Sequence, residues 1–343
     1  MRLLKSITWL ALALSLVVAS ASRTWAAPTT IKVATLVPEG TVWHKTIADM
    51  GDTWSRDTQA RVAMRLYAGG VAGDEPDMVR KMRIGQLNGA VLTVLGLSDL
   101  DDAFLVFTVP MLFESYDELL YVLDRMEPVL KKRLEAKGFV LLNWGHAGWL
   151  YLFSSKPVRS VAELKKLKLW WRAGDDRMVQ VWKESGFQPV PLAMTDIMSG
   201  LQTGMIDVIP LTPLGVLAMQ WFRLTPNMIN VGLAPLVGGV VVTRQVWNKI
   251  SEADHVKVLA ACQRAEARLQ EEVPRQDRVA LAEMQKRGLK TAPLTPADEA
   301  EWRATAAGFA TKMRGRVVPA EILDLAIRER DAFRQQRRNL GGR

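Results

Sequence analysis

The sequence has few of the residues on which most enzyme chemistry depends. Its 343 residues include one cysteine and three histidines. The single cysteine, Cys262, excludes an intramolecular disulfide, and no histidine stands at metal-ligand spacing from another His, Cys or Glu. The chain contains neither a Gly-x-Ser-x-Gly nucleophile elbow nor a His-Glu-x-x-His motif. We therefore predict a binding protein that has no catalytic residues, no cofactor and no metal.

Long apolar runs are also scarce, and the only candidate lies near the N-terminus. Two basic residues precede the apolar stretch Ile7–Val18, and small residues follow it. This arrangement predicts a secretory signal peptide over residues 1–26, cleaved after Ala26 or alternatively after Ala21. Because this region contains no cysteine, we expect a periplasmic protein without an N-terminal lipid anchor.

Acidic residues are outnumbered, and the formal net charge is +9. Much of the excess lies in the C-terminal tail, which carries Arg328, Arg330, Arg334, Arg337 and Arg338. In an exported protein such a cluster is typical of a solvated helix end. We therefore predict no nucleic-acid partner.

Strand-like and helix-like segments alternate twice along the chain. The first series begins at Ile31 and the second after Ser160, which predicts an α/β fold of two lobes joined by crossing strands. We assign residues 27–148 and 231–250 to the first lobe and residues 149–230 to the second. Residues 251–343 form a helical C-terminal third that is expected to pack across both lobes. A cleft between such lobes is a natural site for a small ligand.

Several stretches identify a resemblance that covers nearly the whole chain after residue 26. "TVPMLFESYDELLYVLD", "GFQPVPLAMTDIMSGLQTGMIDV" and "VVVTRQVWNKIS" occur in the same order in the DctP-type solute receptors of TRAP transporters. The L-Q-T-G-x-[IV]-D segment at Leu201–Asp207 is quite specific to that family. The resemblance implies a two-lobed, type II-like periplasmic binding protein. Such a receptor closes over a small ligand and delivers it to a membrane permease.

The chain departs from the family at the positions that usually hold a ligand carboxylate. The family's principal arginine, in L-K-G-L-K-I-R, corresponds to Trp170, and a second arginine, in N-G-F-R, corresponds to Leu150. The family's asparagine in D-G-A-E-N corresponds to Leu211. All three replacements are apolar, and an apolar side chain cannot replace a bidentate arginine. The sequence is therefore similar to a divergent branch that lacks the carboxylate-binding arginine.

Other residues matched to the family's ligand site are also mostly apolar. We expect Trp170 to face the cleft as an apolar wall or stacking plate and Trp171 to pack into its lobe. The remaining expected ligand contacts are Trp149, Met194, Thr93, Leu92 and Val37. This set favours a hydrophobic or amphipathic ligand. The resemblance also implies, for this branch, a possible periplasmic tetratricopeptide-repeat partner.

Two alternatives stay open from the sequence. Arg172 lies two residues beyond Trp170 on the same face of the predicted strand, about 6–7 Å further along, and from there it can reach a carboxylate. In that case the ligand is an aromatic or long-chain organic acid. The fold also suits a sensory receptor that presents its closed form to a membrane kinase.

Overall fold

The computed structural model describes residues 28–292 and 294–341, so the predicted signal peptide lies outside the described residues. Within these ranges, nine strands form one mixed sheet flanked by helices, which confirms the predicted α/β class. The strands are β1 (Thr29–Thr35), β2 (Val62–Tyr67), β3 (Gly89–Thr93), β4 (Phe139–Ser154), β5 (Lys168–Arg172), β6 (Gln188–Leu192), β7 (Val208–Leu211), β8 (Asn227–Thr243) and β9 (Lys290–Ala292).

Helices connect these strands and cover both faces of the sheet. They are α1 (Val42–Asp57), α2 (Glu75–Arg83), α3 (Val94–Ser98), α4 (Tyr116–Ala136), α5 (Val161–Leu164), α6 (Asp176–Glu184), α7 (Ile197–Gln202), α8 (Pro213–Ala218), α9 (Arg244–Trp247), α10 (Glu252–Lys286), α11 (Pro296–Met313) and α12 (Ala320–Gly341). Short 3₁₀ helices span Asp102–Thr108, Met194–Asp196 and Trp221–Arg223. In the described residues, no helix is both long and apolar enough to span a membrane.

Polar caps set the beginnings of several helices. Ser115 accepts a hydrogen bond from the backbone N–H of Glu118 at the start of α4, and Ser160 does the same for Glu163 at α5. These bonds satisfy N–H groups that have no partner within the helix. The Ser-x-x-Glu pattern at both positions predicts such an N-cap from the sequence, and both N-caps are confirmed.

Two long strands join the lobes. The sheet order is β2-β1-β3-β8-β4-β7-β5-β6, with β9 added beside β8. The outer strands of each half pair in parallel, whereas β4 and β8 pair antiparallel through the centre. They are 16 and 17 residues long. The result is the two-lobed architecture expected from the sequence, while the proposed lobe boundaries stay a prediction.

The apolar run Phe139–Trp144 predicts a short strand from the sequence, but the observed strand β4 is much longer. The glycines that follow Trp144 resemble a strand end, but β4 continues through them with register shifts after His146 and after Leu150. Gly148 has a φ of +110°, and a Cβ there would lie 2.2 Å from an oxygen of Asp277. Glycine is therefore required at this position by both conformation and space.

The C-terminal helices contact both lobes. Helix α10 continues through Pro274. Near its start, Asp254 pairs with Arg61, and near its end Asp277 accepts a hydrogen bond from the Leu214 N–H at 2.9 Å. Helix α11 packs on α6, and α12 packs on α4.

The tail arginines were expected to be solvated charges, and the structure corrects part of this. Arg334 is only 31% exposed and forms an ion pair with buried Glu118 at 2.6 Å. Arg337 pairs with Asp117 at 3.3 Å. This part of the tail therefore docks α12 against α4.

Candidate functional site

Two adjoining cavities lie between the lobes. The first has an empty volume of about 1310 Å³, open solvent at its mouth included, and the second about 960 Å³. Glu75, Thr93, Met194, Leu211 and Leu236 line both of them. We call the space between the lobes, where these shared residues bring the two cavities together, the cleft. Its walls are predominantly apolar, as is common for small-molecule sites.

Strand β5 places Trp170 and Trp171 in the wall of the first cavity. Both side chains are buried, and they belong to different apolar clusters because successive residues of a strand point to opposite faces. The Trp170 indole N–H donates to the carbonyl oxygen of Leu192 at 3.1 Å, and that of Trp171 donates to Asp175 at 3.0 Å. These bonds fix the orientation of each ring and leave its apolar surface free to contact other groups.

The Arg172 side chain lies in the same wall but is held by a neighbouring carboxylate. Its Nη1 and Nη2 donate to the two carboxylate oxygens of Asp99 at 2.7 and 2.9 Å. Arg172 is 5% exposed, and its Nε has no hydrogen-bond partner among the described residues. Because Asp99 pairs with the guanidinium, Arg172 does not offer a free positive charge to the cavity.

Glu75 is the principal titratable group shared by both cavities. Burial raises the pKa of its carboxyl to about 7, against the opposing effect of hydrogen bonds from Thr93. The Thr93 backbone N–H donates at 2.5 Å and its hydroxyl at 2.8 Å, one to each carboxyl oxygen. Nearby, Asp74 accepts a hydrogen bond from the Met194 backbone N–H at 2.8 Å, which connects the two lobes.

The structure brings together most of the residues predicted from the sequence. Six of them line the first cavity: Trp170, Leu150, Leu211, Met194, Thr93 and Arg172. Val37 and Leu92 line the second cavity, together with Thr93, Met194 and Leu211. Their contact with a ligand stays a prediction.

Trp149 is the exception. The register shift of β4 between His146 and Trp149 turns this side chain away from the cleft. It lines a separate cavity and packs edge-on against Tyr116, with ring centroids 5.5 Å apart. Trp149 therefore lines neither of the two cavities of the cleft, and its contact with a ligand stays a prediction.

His146 has a structural environment inside the second cavity. It is buried, and its Nε2 lies 3.2 Å from the amide nitrogen of Gln270 on α10. Burial lowers the pKa of the imidazole to about 4, so the ring is neutral at ordinary pH. A neutral histidine is consistent with the apolar character of this cavity.

Sequence reasoning missed four residues of the site. Glu75 and the α11 residues Trp302 and Phe309 line the first cavity, and Asp99 holds the wall residue Arg172. Glu75 stands in an acidic run at the start of α2, a pattern that also fits a simple helix N-terminus. Asp99 and α11 carry no local signal because they reach the site through long-range contacts. Within the described ranges, no group of three or more His, Cys, Asp or Glu side chains could hold a metal ion.

Comparison with known proteins supports the same architecture. The chain is 25% identical over 273 residues to a solute-binding protein of Roseobacter denitrificans, covering 78% of this chain and 82% of that protein. A TRAP periplasmic solute-binding protein from Xanthobacter autotrophicus, with bound β-D-galacturonate, matches with a TM-score of 0.80 and 17% identity. That match covers 88% of this chain and 99% of the other.

A TRAP periplasmic solute-binding protein from Desulfovibrio salexigens, with bound orotic acid, matches with a TM-score of 0.82 and 15% identity, covering 89% of this chain and 99% of the other. The model of the family "DctP: Bacterial extracellular solute-binding protein, family 7" matches residues 33–314. These findings confirm the resemblance drawn from the sequence and the prediction of a receptor rather than an enzyme. The chain belongs to the DctP family of bacterial extracellular solute-binding proteins.

Proposed function

We propose that this receptor encloses a mostly apolar, or amphipathic, small molecule and delivers it to the membrane permease of a TRAP transporter. The observation that carries the proposal is the site at β5. Trp170 stands where the motif resemblance expects the family's carboxylate-binding arginine, and it lines the first cavity. The neighbouring Arg172 is already paired with Asp99.

Electrostatics in the cleft disfavour a free carboxylate. Arg172 is the only cation among the described residues that line the two cavities, and Asp99 neutralises it. The same walls contain the carboxyl groups of Asp74 and Glu75. A ligand carboxylate would therefore be desolvated beside two acidic groups without a free positive partner, and an unpaired buried charge is costly.

The relatives bind acids, and this favours a second candidate. The two solved structures named above contain galacturonate and orotic acid, which are both carboxylic acids. The Arg172 guanidinium lies in the wall of the first cavity and is bonded to Asp99. An aromatic or long-chain organic acid can pair with this guanidinium if the acid displaces Asp99. At 15–17% identity these relatives support the fold, and the ligand is a separate question.

The wider role rests on the family. A receptor of this type works with membrane permease subunits, and a periplasmic tetratricopeptide-repeat protein is a further partner that we propose only from the resemblance. Sensing through a membrane kinase is the alternative role. Deleting the gene and measuring ligand uptake against transcription separates these roles, because loss of uptake supports transport and loss of a transcriptional response supports sensing.

The ligand class is tested by native mass spectrometry of receptor purified without added ligand, followed by extraction and identification of bound molecules. We expect a neutral or amphipathic compound with an extended apolar part. Calorimetry with octanol and octanoate, which share a chain and differ in the head group, provides a matched comparison. Recovery of a small dicarboxylate or sugar acid, or much tighter binding of octanoate at pH 8, contradicts the proposal.

A further inference from the structure

The first cavity is not confined to the face of the sheet that borders the cleft. Trp170 and Trp171 are neighbours in β5 and point to opposite faces, and both line this cavity. Ile209 and Pro210 are neighbours in β7 and also line it. The cavity therefore reaches both faces of the sheet.

The passage lies between β5 and β7. These strands pair only at Leu169 and Val208, whereas β5 pairs with β6 along all five of its residues. Beyond Leu169, the Trp170 indole bonds to Leu192 of β6. Beyond the Leu169–Val208 pair, β5 and β7 continue without ladder pairing to their C-terminal ends, where Arg172 and Leu211 stand in the cavity wall.

Behind the sheet, the cavity ends against helix α11. We call this part the rear arm and define it by Leu169, Trp171, Trp182, Trp302, Ala306 and Phe309, which all line the cavity. All six are buried, and Trp182 packs against Phe309 with ring centroids 4.4 Å apart.

The rear arm differs from the cleft in its chemistry. None of the six side chains carries a charge. Its polar atoms are indole nitrogens, and the neighbouring Thr305 of α11, which also lines the cavity, adds one hydroxyl. The indole nitrogens of Trp182 and Trp302 are buried without a hydrogen-bond partner among the described residues. The titratable groups Glu75 and Arg172 are on the cleft side, together with the Thr93 hydroxyl. One end of the cavity is therefore polar enough to hold a head group, and the other is apolar.

We infer that the ligand is an elongated amphiphile with an unbranched apolar chain. Its head group lies in the cleft near Thr93, Glu75 and the Arg172–Asp99 pair, and its chain passes between β5 and β7 into the rear arm. This inference rests on the proposed apolar ligand and adds the shape of the molecule. A compact or strongly branched ligand fits the cleft but does not use the passage between two adjacent strands.

A chain in the rear arm predicts an affinity that depends on its length. Each additional buried methylene strengthens binding by about fourfold. The gain stops when the chain reaches α11. For a ligand confined to the cleft, the gain in affinity stops at a shorter chain length, and substitutions in α11 do not change its affinity.

The test uses unbranched alcohols from butanol to dodecanol, titrated by calorimetry into the delipidated full-length mature receptor. Ala306→Leu fills the rear arm, and Ala307→Leu is the matched control because Ala307 is exposed on the same helix. We expect Ala306→Leu to weaken dodecanol at least tenfold and to leave butanol unchanged. Ala307→Leu is expected to bind the whole series like the wild type.

A second variant covers the case in which Ala306→Leu does not fold. Phe309→Val enlarges the arm and is expected to extend the series to longer chains. One outcome contradicts the rear arm alone: short alcohols bind, Trp170→Ala weakens their binding, and the α11 variants leave the dependence on chain length unchanged. In that case the ligand does not enter the rear arm, and the proposed apolar ligand in the cleft is retained. If no alcohol binds while sugar acids do, both the inference and the proposed function are overturned.

Discussion

Trp170 and Arg177 are only a few residues apart on the chain, but their environments differ. Trp170 is buried among apolar groups of the second lobe. Arg177 is half-exposed and pairs with Asp102 of the first lobe at 2.8 and 2.5 Å. Arg172 lies between them and joins the same lobe through Asp99.

Under the proposed function, this difference assigns ligand recognition to Trp170 and contact between the lobes to the two arginines. In the DctP-type pattern, an arginine contributes to ligand recognition. In this chain, Arg172 and Arg177 instead join the lobes through their ion pairs. We call Arg172–Asp99 and Arg177–Asp102 the closing pairs. The cleft interior is predominantly apolar, and these two arginines pair with carboxylates of the first lobe.

The largest expected effect is at Trp170, where Trp170→Ala removes apolar wall. Burial of a large apolar side chain contributes about 2–3 kcal/mol, so we expect an apolar ligand such as octanol to bind roughly thirty- to hundredfold more weakly. Calorimetry at constant pH measures the change. Trp247→Ala is the control, since Trp247 stacks on His255 outside the cleft. If both variants weaken octanol binding equally, the loss does not come from the cleft wall and Trp170 has no special role in binding.

The next effect concerns Glu75 and pH. Its pKa is raised from 4.5 to about 7, so the folded state keeps a proton that the unfolded state has released. Stability relative to Glu75→Gln should therefore be fully present below about pH 4.5 and fall by roughly 2–3 kcal/mol as pH rises through 7.

Urea unfolding of wild type and Glu75→Gln at pH 4, 6 and 8 measures this difference. The matched variant retains one carbonyl oxygen to accept from Thr93. A difference between the two proteins that stays constant across this range shows that Glu75 is ionised in the folded state, and the interior is then more polar than we describe.

A somewhat smaller effect is expected at the inner closing pair. Arg172→Ala leaves Asp99 without its partner, and because Asp99 is 24% exposed we expect a loss of about 2 kcal/mol in unfolding free energy. Asp99→Asn should cost a similar amount, and the double variant should cost less than the sum.

The same variants distinguish the two ligand classes. If Arg172 serves closure, Asp99→Asn does not improve octanoate binding. If Arg172 holds a carboxylate, Asp99→Asn frees the guanidinium and strengthens octanoate at the expense of octanol. Calorimetry with both ligands on both single variants gives the answer, and tighter acid binding by Asp99→Asn favours the acid candidate.

The smallest effect is expected at the outer closing pair. Arg177 and Asp102 are 49% and 41% exposed, so Arg177→Gln should lower stability by about 0.5 kcal/mol and lose most of that effect in high salt. Ligand affinity should change less than threefold. A loss of affinity as large as that of Trp170→Ala would place the outer pair among the residues that bind ligand.

The sequence by itself determined the parts of the protein that depend on local pattern. The alternation in Lys168–Arg172 predicts β5 with its observed bounds, and the Ser-x-x-Glu caps predict where α4 and α5 begin. The order of family motifs predicts the two-lobed fold. The replacement of three polar positions by Trp170, Leu150 and Leu211 predicts an apolar wall. In the structure, each of these residues lines the first cavity.

The tertiary structure decided what depends on contacts between distant parts of the chain. The partner of Arg172 is Asp99, which follows the end of helix α3 and is 73 residues away along the chain. Trp149 leaves the cleft because of the register shift in β4, which local spacing does not encode. Helix α11 closes the rear arm from the C-terminal third. Pairing, register and packing of this kind are set by the whole fold, because each is chosen by the combined burial of many residues.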